Sequence, residues 1–270
     1  MKRLTLLALA VAVALMAGCE GDNPSGPDGT LDVVTGLAIG DASTGVDVVL
    51  SWTAVADVDG YYVYWKANNS GDWVEVGDVT GTSYTHTATS AGTYSVLAYA
   101  GDDTSSDYSA SVSTMPNVVS TEYSIYDNYA PADYHSGFIF GATSGETGLA
   151  SSGAFVQDIY AYDPDTSPTV AWFYSGDYGP FGDGNTTWMS ALGDGYDNPG
   201  AAPDASANWW DNGYVLTGDV IFGELFDGYF VKMYINDVYG PVGGSTNGTG
   251  VDFTYEFQPI QGLRLFTTNS

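Results

Sequence analysis

The chain has 270 residues, with 33 Asp and Glu against five Lys and Arg, and a formal net charge of −28. Such a chain repels phosphate backbones, so nucleic acid is excluded as a partner. A 44% hydrophobic content with 21 Tyr, 11 Phe and 7 Trp excludes a disordered polymer, and a single cysteine excludes an internal disulfide framework.

The amino terminus reads as an export signal. Lys2 and Arg3 precede an apolar run from Leu4 to Ala17 that only Thr5 interrupts, and Leu15-Met16-Ala17-Gly18-Cys19 follows the order of small residues before a cleavage point. The run is shorter than the roughly 20 residues a membrane-spanning helix needs. Residues 15–19 resemble the lipobox of bacterial lipoproteins, although Met16 stands where that motif more often has Leu or Val. The resemblance implies that the thiol of Cys19 carries a diacylglyceryl group and that residues 1–18 are removed. It also implies a membrane partner, since two or more acyl chains hold a protein stably at about 0.8 kcal/mol per buried methylene. Glu20, where the enterobacterial sorting pattern has Asp for inner-membrane retention, points to the outer membrane. Removing the signal leaves Lys66, Lys232 and Arg264 against 33 acids, that is 3 − 33 = −30.

Residues 19–30 contain the lipidated cysteine and a Gly, Pro, Asp and Ser-rich tether with nothing to bury. A flexible chain of that length spans roughly 18 Å. From Leu31 to Met115 apolar residues then alternate in short runs: Val46, Val48, Leu50 and Trp52, then Tyr61, Val63 and Trp65, then Tyr94, Val96 and Ala98, and last Tyr108, Ala110 and Val112. Short alternating strands separated by turn residues predict an antiparallel sandwich.

Residues 31–115 resemble the fibronectin type III module. Val34-Thr35-Gly36-Leu37 is similar to its first strand, Val49-Leu50-Ser51-Trp52 to its second, and Val58 to Trp65 to its third; Thr82-Ser83-Tyr84 and Ala91 to Val96 match later strands. The resemblance implies that Trp52 is the core tryptophan and Tyr94 a tyrosine corner, and that the module serves as a spacer. His86, within Thr85-His86-Thr87, is expected to be a satisfied or solvent-facing histidine.

Pro116 ends the pattern, and residues 116–270 read as a second β-rich domain. Expected strands lie at Phe138–Phe140, Ala154–Tyr162 and Val170–Tyr174. The clearest pair comes at the end, where Tyr229, Val231, Met233 and Ile235 and then Val251, Phe253, Tyr255 and Phe257 occupy one face. One buried and one wet face predict an antiparallel sheet, half of a sandwich or of an open barrel. The predicted fold is therefore all-β: a fibronectin type III-like sandwich followed by a second antiparallel β-rich domain.

Residues 176–212 form a long stretch rich in Gly, Asp, Pro and Asn, the kind of loop that is usually functional. Asp177, Asp183, Asn185, Asp194 and Asp197 offer hard oxygen donors of the type that wrap Ca2+, the one cofactor these residues call for, although a full EF-hand spacing is absent. Trp188, Trp209 and Trp210 offer an aromatic platform for a sugar ring, or alternatively a plug that packs the loop onto the sheet. Catalytic patterns are missing: no Gly-x-Ser-x-Gly, His-Glu-x-x-His or phosphate-loop motif occurs, and His86 and His135 are the only histidines.

Gly218-Asp219-Val220 through Phe253-Thr254-Tyr255 is similar to HmuY-like haemophore lipoproteins, which implies haem capture between histidines; only His135 lies in this domain. The expected function is that of a non-enzymatic, membrane-anchored binding protein with a glycan or protein ligand. A small glycan-active hydrolase and a haem-capturing lipoprotein are the alternatives.

Overall fold

The structure, a computed structural model, describes residues 31–131, 133–163, 171–192, 199–204, 209–244 and 248–268. The chain is all-β and folds into two sandwiches. In the first, β1 (Ala38–Ile39), β2 (Asp47–Ser51) and β5 (Ser83–Thr87) pair in the order β1-β2-β5. Facing them are β3 (Gly60–Ala67), β4 (Val74–Val79), β6 (Gly92–Ala100) and β7 (Asp103–Thr104), in the order β4-β3-β6-β7, with β8 (Val112–Ser113) also on β6. Period-two alternation turns Val48 and Leu50 from one sheet, and Tyr61, Val63, Tyr94, Val96 and Ala98 from the other, into a shared buried core.

Trp52 packs edge-on against Tyr61, with centroids 5.4 Å apart, as a core tryptophan. Three details differ from the expectation, the first being that Tyr108, Ala110 and Val112 form no inward stripe: only Val112–Ser113 is a strand, Ala110 is exposed and Ser109 is the buried residue. Gly36 has φ +68, which breaks an extended chain, so Val34–Leu37 is not a strand; Thr53 N–H donates to Thr35 O at 2.8 Å, but the regular ladder begins at Ala38. The hydroxyl of Tyr94 meets Nδ1 of His86 at 2.9 Å, so it makes a side-chain contact inside the sandwich and not the backbone bond of a tyrosine corner.

The second sandwich uses β9 (Asn117–Tyr126), β10 (Gly137–Ile139), β11 (Glu146–Gly148), β12 (Ile159–Ala161), β13 (Ala171–Ser175), β14 (Thr187–Leu192), β15 (Asn212–Val215), β16 (Val220–Leu225), β17 (Phe230–Tyr239) and β18 (Gly250–Gln258). One sheet runs β11-β10-β12-β13-β15 and the other β14-β16-β17-β18-β9. Their inner faces close over a single core, with Phe138, Ile159 and Phe173 on one side and Ile221, Val231, Met233, Phe253 and Tyr255 on the other. Two closed-over faces make it a sandwich, not an open barrel. Phe138 is its hub, with the rings of Tyr123, Phe140 and Phe253 each centred 4.9 Å away.

After β18 the chain leaves the second sandwich and joins the first. Gly45 N–H donates to Gly262 O at 2.8 Å, Arg264 N–H to Gly45 O at 2.7 Å, and Ala91 N–H to Phe266 O at 2.9 Å. On its other side the same tail pairs with 199–202: Ala202 N–H donates to Arg264 O, and Phe266 N–H to Gly200 O. Side chains alternate accordingly. Leu263 and Leu265 are fully buried in the first core, while Phe266 packs on Phe222 of the second unit.

Leu265→Ala therefore lowers the stability of the first sandwich, 165 or more residues away in sequence from most of its neighbours, by about 2–5 kcal/mol. Urea unfolding followed by the fluorescence of the buried Trp52 checks this. If residues 31–115 alone unfold at the same urea concentration as the full chain, the tail is not part of that core.

Candidate functional site

The outer face of β16 and β17 is where the two sandwiches and the tail meet. Cross-strand pairing sets its rows: Phe222, Lys232 and Glu256 share one row, and Trp188, Glu224, Phe230 and Gln258 the next. Lys232 is fully buried. Its Nζ donates to Pro199 O at 2.9 Å and Thr267 O at 2.8 Å, and it lies 5.6 Å from the Phe222 ring and 5.4 Å from that of Tyr234. Burial pushes its pKa down to about 8, although the nearby Glu256 carboxylate pulls the other way. Glu256 accepts hydrogen bonds from the Tyr234 hydroxyl, at 2.9 Å, and from the Thr267 hydroxyl and backbone N–H. The row thus clamps the tail onto the sheet.

The adjacent row opens into a groove of about 620 Å³. The first sandwich supplies Asp41, Ser43 and Thr44 to its wall; Asp204, Trp209, Glu224, Phe230, Gln261 and Arg264 complete it. Trp209 leans on Phe230 with centroids 6.4 Å apart at 61°, and its Nε1–H donates to Asp204 O at 2.9 Å, which fixes the indole plane. Arg264 Nη1 donates to Ala202 O at 2.8 Å, so the one cation of the groove is held by the tail pairing itself. The groove combines aromatic surface, three carboxylates, an amide and a guanidinium fork.

The residues expected to act are distributed unevenly. Trp188 is 47% exposed on β14 and lies beside Glu224, so it shares a face with Trp209. Trp210 does not join them. Its backbone pairs both ways with Met189, and its ring packs into the main core and over Gly213, where no Cβ leaves it room. Trp210 is therefore a plug, while Trp209 packs half-buried against the Phe222, Phe230 and Phe266 cluster and lines the groove with the rest of its ring. Strand β14 itself lies within 176–212, hidden because Gly and Asp on both sides mask its alternation.

Of the oxygen donors, Asp177 accepts from the hydroxyls of Ser175 and Thr186, both at 2.6 Å, and Asn185 Nδ2 donates to the buried Asp158 at 2.8 Å. Asp183 is exposed on the turn that follows Phe181. These three serve separate partners, and among the described residues no three His, Cys, Asp or Glu converge as a metal set. Asp194, Asp197 and Cys19 lie outside the described residues. The two histidines sit in different sandwiches, His86 on Tyr94 and His135 exposed against the Thr147 hydroxyl at 2.9 Å, so they offer no paired haem ligation. Sequence reasoning missed Asp41, Glu224, Phe230, Gln261 and Arg264. The rarity of Arg264 in so acidic a chain was the available signal.

No family model and no curated protein matches the chain. Among solved structures it is similar to one titled "Titin kinase and its flanking domains", at 11% identity and a TM-score of 0.31, covering 83% of this chain and 37% of that one.

Between the folded pKa of about 8 and the ordinary lysine value of 10.5, Lys232 leaves the unfolded chain binding more protons than the folded one. Its contribution to stability is thus present above 10.5 and lost as pH falls through 8. The thermal midpoint is expected to rise between about pH 7.5 and about pH 9.5 in the native chain and to stay flat in Lys232→Met. Differential scanning calorimetry at both pH values decides it; a flat native profile removes the idea of a strained buried ammonium.

Proposed function

We propose that the protein is a lipid-anchored cell-envelope binding protein, held at a membrane through Cys19, that takes a saccharide in the groove between its two sandwiches. The observation that carries this reading is the groove's chemistry. The half-buried indole of Trp209, backed by the buried ring of Phe230, stands beside Asp41, Glu224, Gln261 and Arg264 in one concave site. Sugar rings present an apolar face of C–H bonds and an equatorial rim of hydroxyls. An aromatic wall accepts the face, while carboxylate, amide and guanidinium groups pair with the rim. Trp188, exposed on the next strand beside Glu224, extends the aromatic surface toward a second ring.

The anchoring half of the reading rests on the signal-like amino terminus and the lone cysteine that ends it. The Gly and Pro-rich tether that follows lets the folded part stand roughly 18 Å from the lipid surface. The first sandwich then has two tasks, as a spacer and as one wall of the groove, through Asp41 and Thr44.

Two measurements test the halves separately. Native protein partitions with membranes and Cys19→Ala with the soluble fraction; a Cys19→Ala chain that remains membrane-bound overturns the anchor. Glycan-array binding by the full chain is expected to weaken about tenfold or more in Trp209→Ala and in Glu224→Gln, the latter sparing the packing. Array-negative protein, or binding that both variants leave intact, overturns the saccharide reading. Hydrolysis of an array glycan that Glu224→Gln abolishes would transfer the protein to the enzymes.

A further inference from the structure

A second polar site lies on the far side of the second sandwich, away from the groove. There β9 ends at Tyr126, and Asp127 turns inward, only 2% exposed. Its backbone N–H donates to Thr249 O at 2.8 Å, its carbonyl accepts from Ala130, and its Oδ1 accepts from the Tyr129 N–H at 3.1 Å. The backbone N–H of Asp163, itself fully buried, also reaches this carboxylate. Two buried carboxyl residues are thus brought together beneath the surface, joined by that backbone hydrogen bond.

Three side-chain oxygens at this turn lack donors. Asp127 Oδ2, Asn128 Oδ1 and Thr249 Oγ1 are all buried and make no hydrogen bond, although Thr249 is only 1% exposed. A buried oxygen left without a partner has lost its water and gained nothing in exchange, and a buried carboxylate loses more. Each side-chain cation among the described residues is engaged elsewhere. Lys66 lies over the Trp73 ring, Lys232 binds the tail carbonyls, and Arg264 binds Ala202 O. The His135 ring is held by Thr147. A cavity of about 180 Å³ reaches Asn128 between Ala130, Tyr134 and Ser136 and gives a route from solvent.

We propose that Asp127, Asn128, Asp163 and Thr249 form a divalent-cation site of the Ca2+ type at this end of the second sandwich. The donor set is all oxygen, two carboxylates with an amide and a hydroxyl, which suits a hard cation and none of the thiophilic metals. The remaining coordination positions go to water from the cavity. One ion neutralises both carboxylates and gives each orphaned oxygen a partner, which ties the β9 turn to the segments carrying Asp163 and Thr249. The rings of Tyr129 and Tyr162, stacked with centroids 6.2 Å apart, stand next to these carboxylates. That places tyrosine sensitisers beside a bound lanthanide.

The test uses the full chain in detergent after EDTA treatment. Terbium is expected to give saturable tyrosine-sensitised emission that CaCl2 displaces, and CaCl2 alone to raise the thermal midpoint. Asp127→Asn and Thr249→Val are expected to weaken both effects at least tenfold, while Asp177→Asn, an exposed carboxylate bonded only to Ser175 and Thr186, leaves them unchanged. The native chain carries the decision if Asp127→Asn fails to fold: an absence of saturable emission together with a calcium-independent midpoint overturns the site. Equal loss in Asp177→Asn also overturns it, by showing that the cation sits elsewhere. Glycan binding enters none of these readouts, so the two proposals stand or fall separately.

Discussion

The tail from Ile260 to Thr268 is the constraint on which the rest of the molecule depends. It is a bridging segment shared by two bodies: Gly45 and Ala91 bond it on one side, Gly200 and Ala202 on the other. Leu263 and Leu265 point into the first core, and Phe266 into a smaller cluster with Phe222 and Phe230. Gln258 reinforces the junction, its Nε2 donating to Thr114 O and Leu265 O from a fully buried position. Two sandwiches joined only by the link near Pro116 would move independently. With the tail inserted, the groove walls from Asp41 and from Trp209 keep a fixed spacing.

Charge sharpens the same point. Residues 20–270, with 33 acids and three cations, have few ways to satisfy buried carbonyls or carboxylates with side-chain cations. Two of the three, Lys232 and Arg264, are spent at the tail junction, donating to Pro199, Thr267 and Ala202 carbonyls. The third, Lys66, sits 4.8 Å from the centre of the Trp73 ring. Self-repulsion among the acids works against compactness. The structure answers with aromatic packing, dense around Phe138 and Phe253, and with the buried ammonium of Lys232 where the two bodies meet.

Sequence made the strand content and the two-core plan legible because burial on one face of a strand imposes a period of two. Val231, Met233, Ile235 and Phe253, Tyr255, Phe257 all fell on the inner face as their spacing required. What period cannot show is which core a strand completes. Leu263 and Leu265 alternate correctly, yet nothing local says that their neighbours are Val48 and Tyr94. The Trp cluster failed in the same way: Trp209 and Trp210 are adjacent, so an extended backbone sends one toward the groove and the other into the core. Asp127 and Asp163 escaped notice because they are 36 residues apart and neither lies in an acid-rich run. The acidic stretch at 176–212 drew attention instead, where Asp177 and Asn185 are occupied by local hydrogen bonds.

The composition of the groove narrows what enters it. Asp41, Asp204 and Glu224 outnumber the single Arg264, whose fork is partly engaged by Ala202 O. An anionic saccharide would meet this wall inside a field already set by a net charge near −28. Its approach would be slowed, and its carboxylate or sulfate would find one donor group against three repelling ones. A neutral glycan loses nothing to that field. In the proposed site its hydroxyls would donate to carboxylates and its C–H face would rest on Trp209, contacts that do not depend on charge. For the proposed saccharide site, the same acidity therefore favours an uncharged sugar.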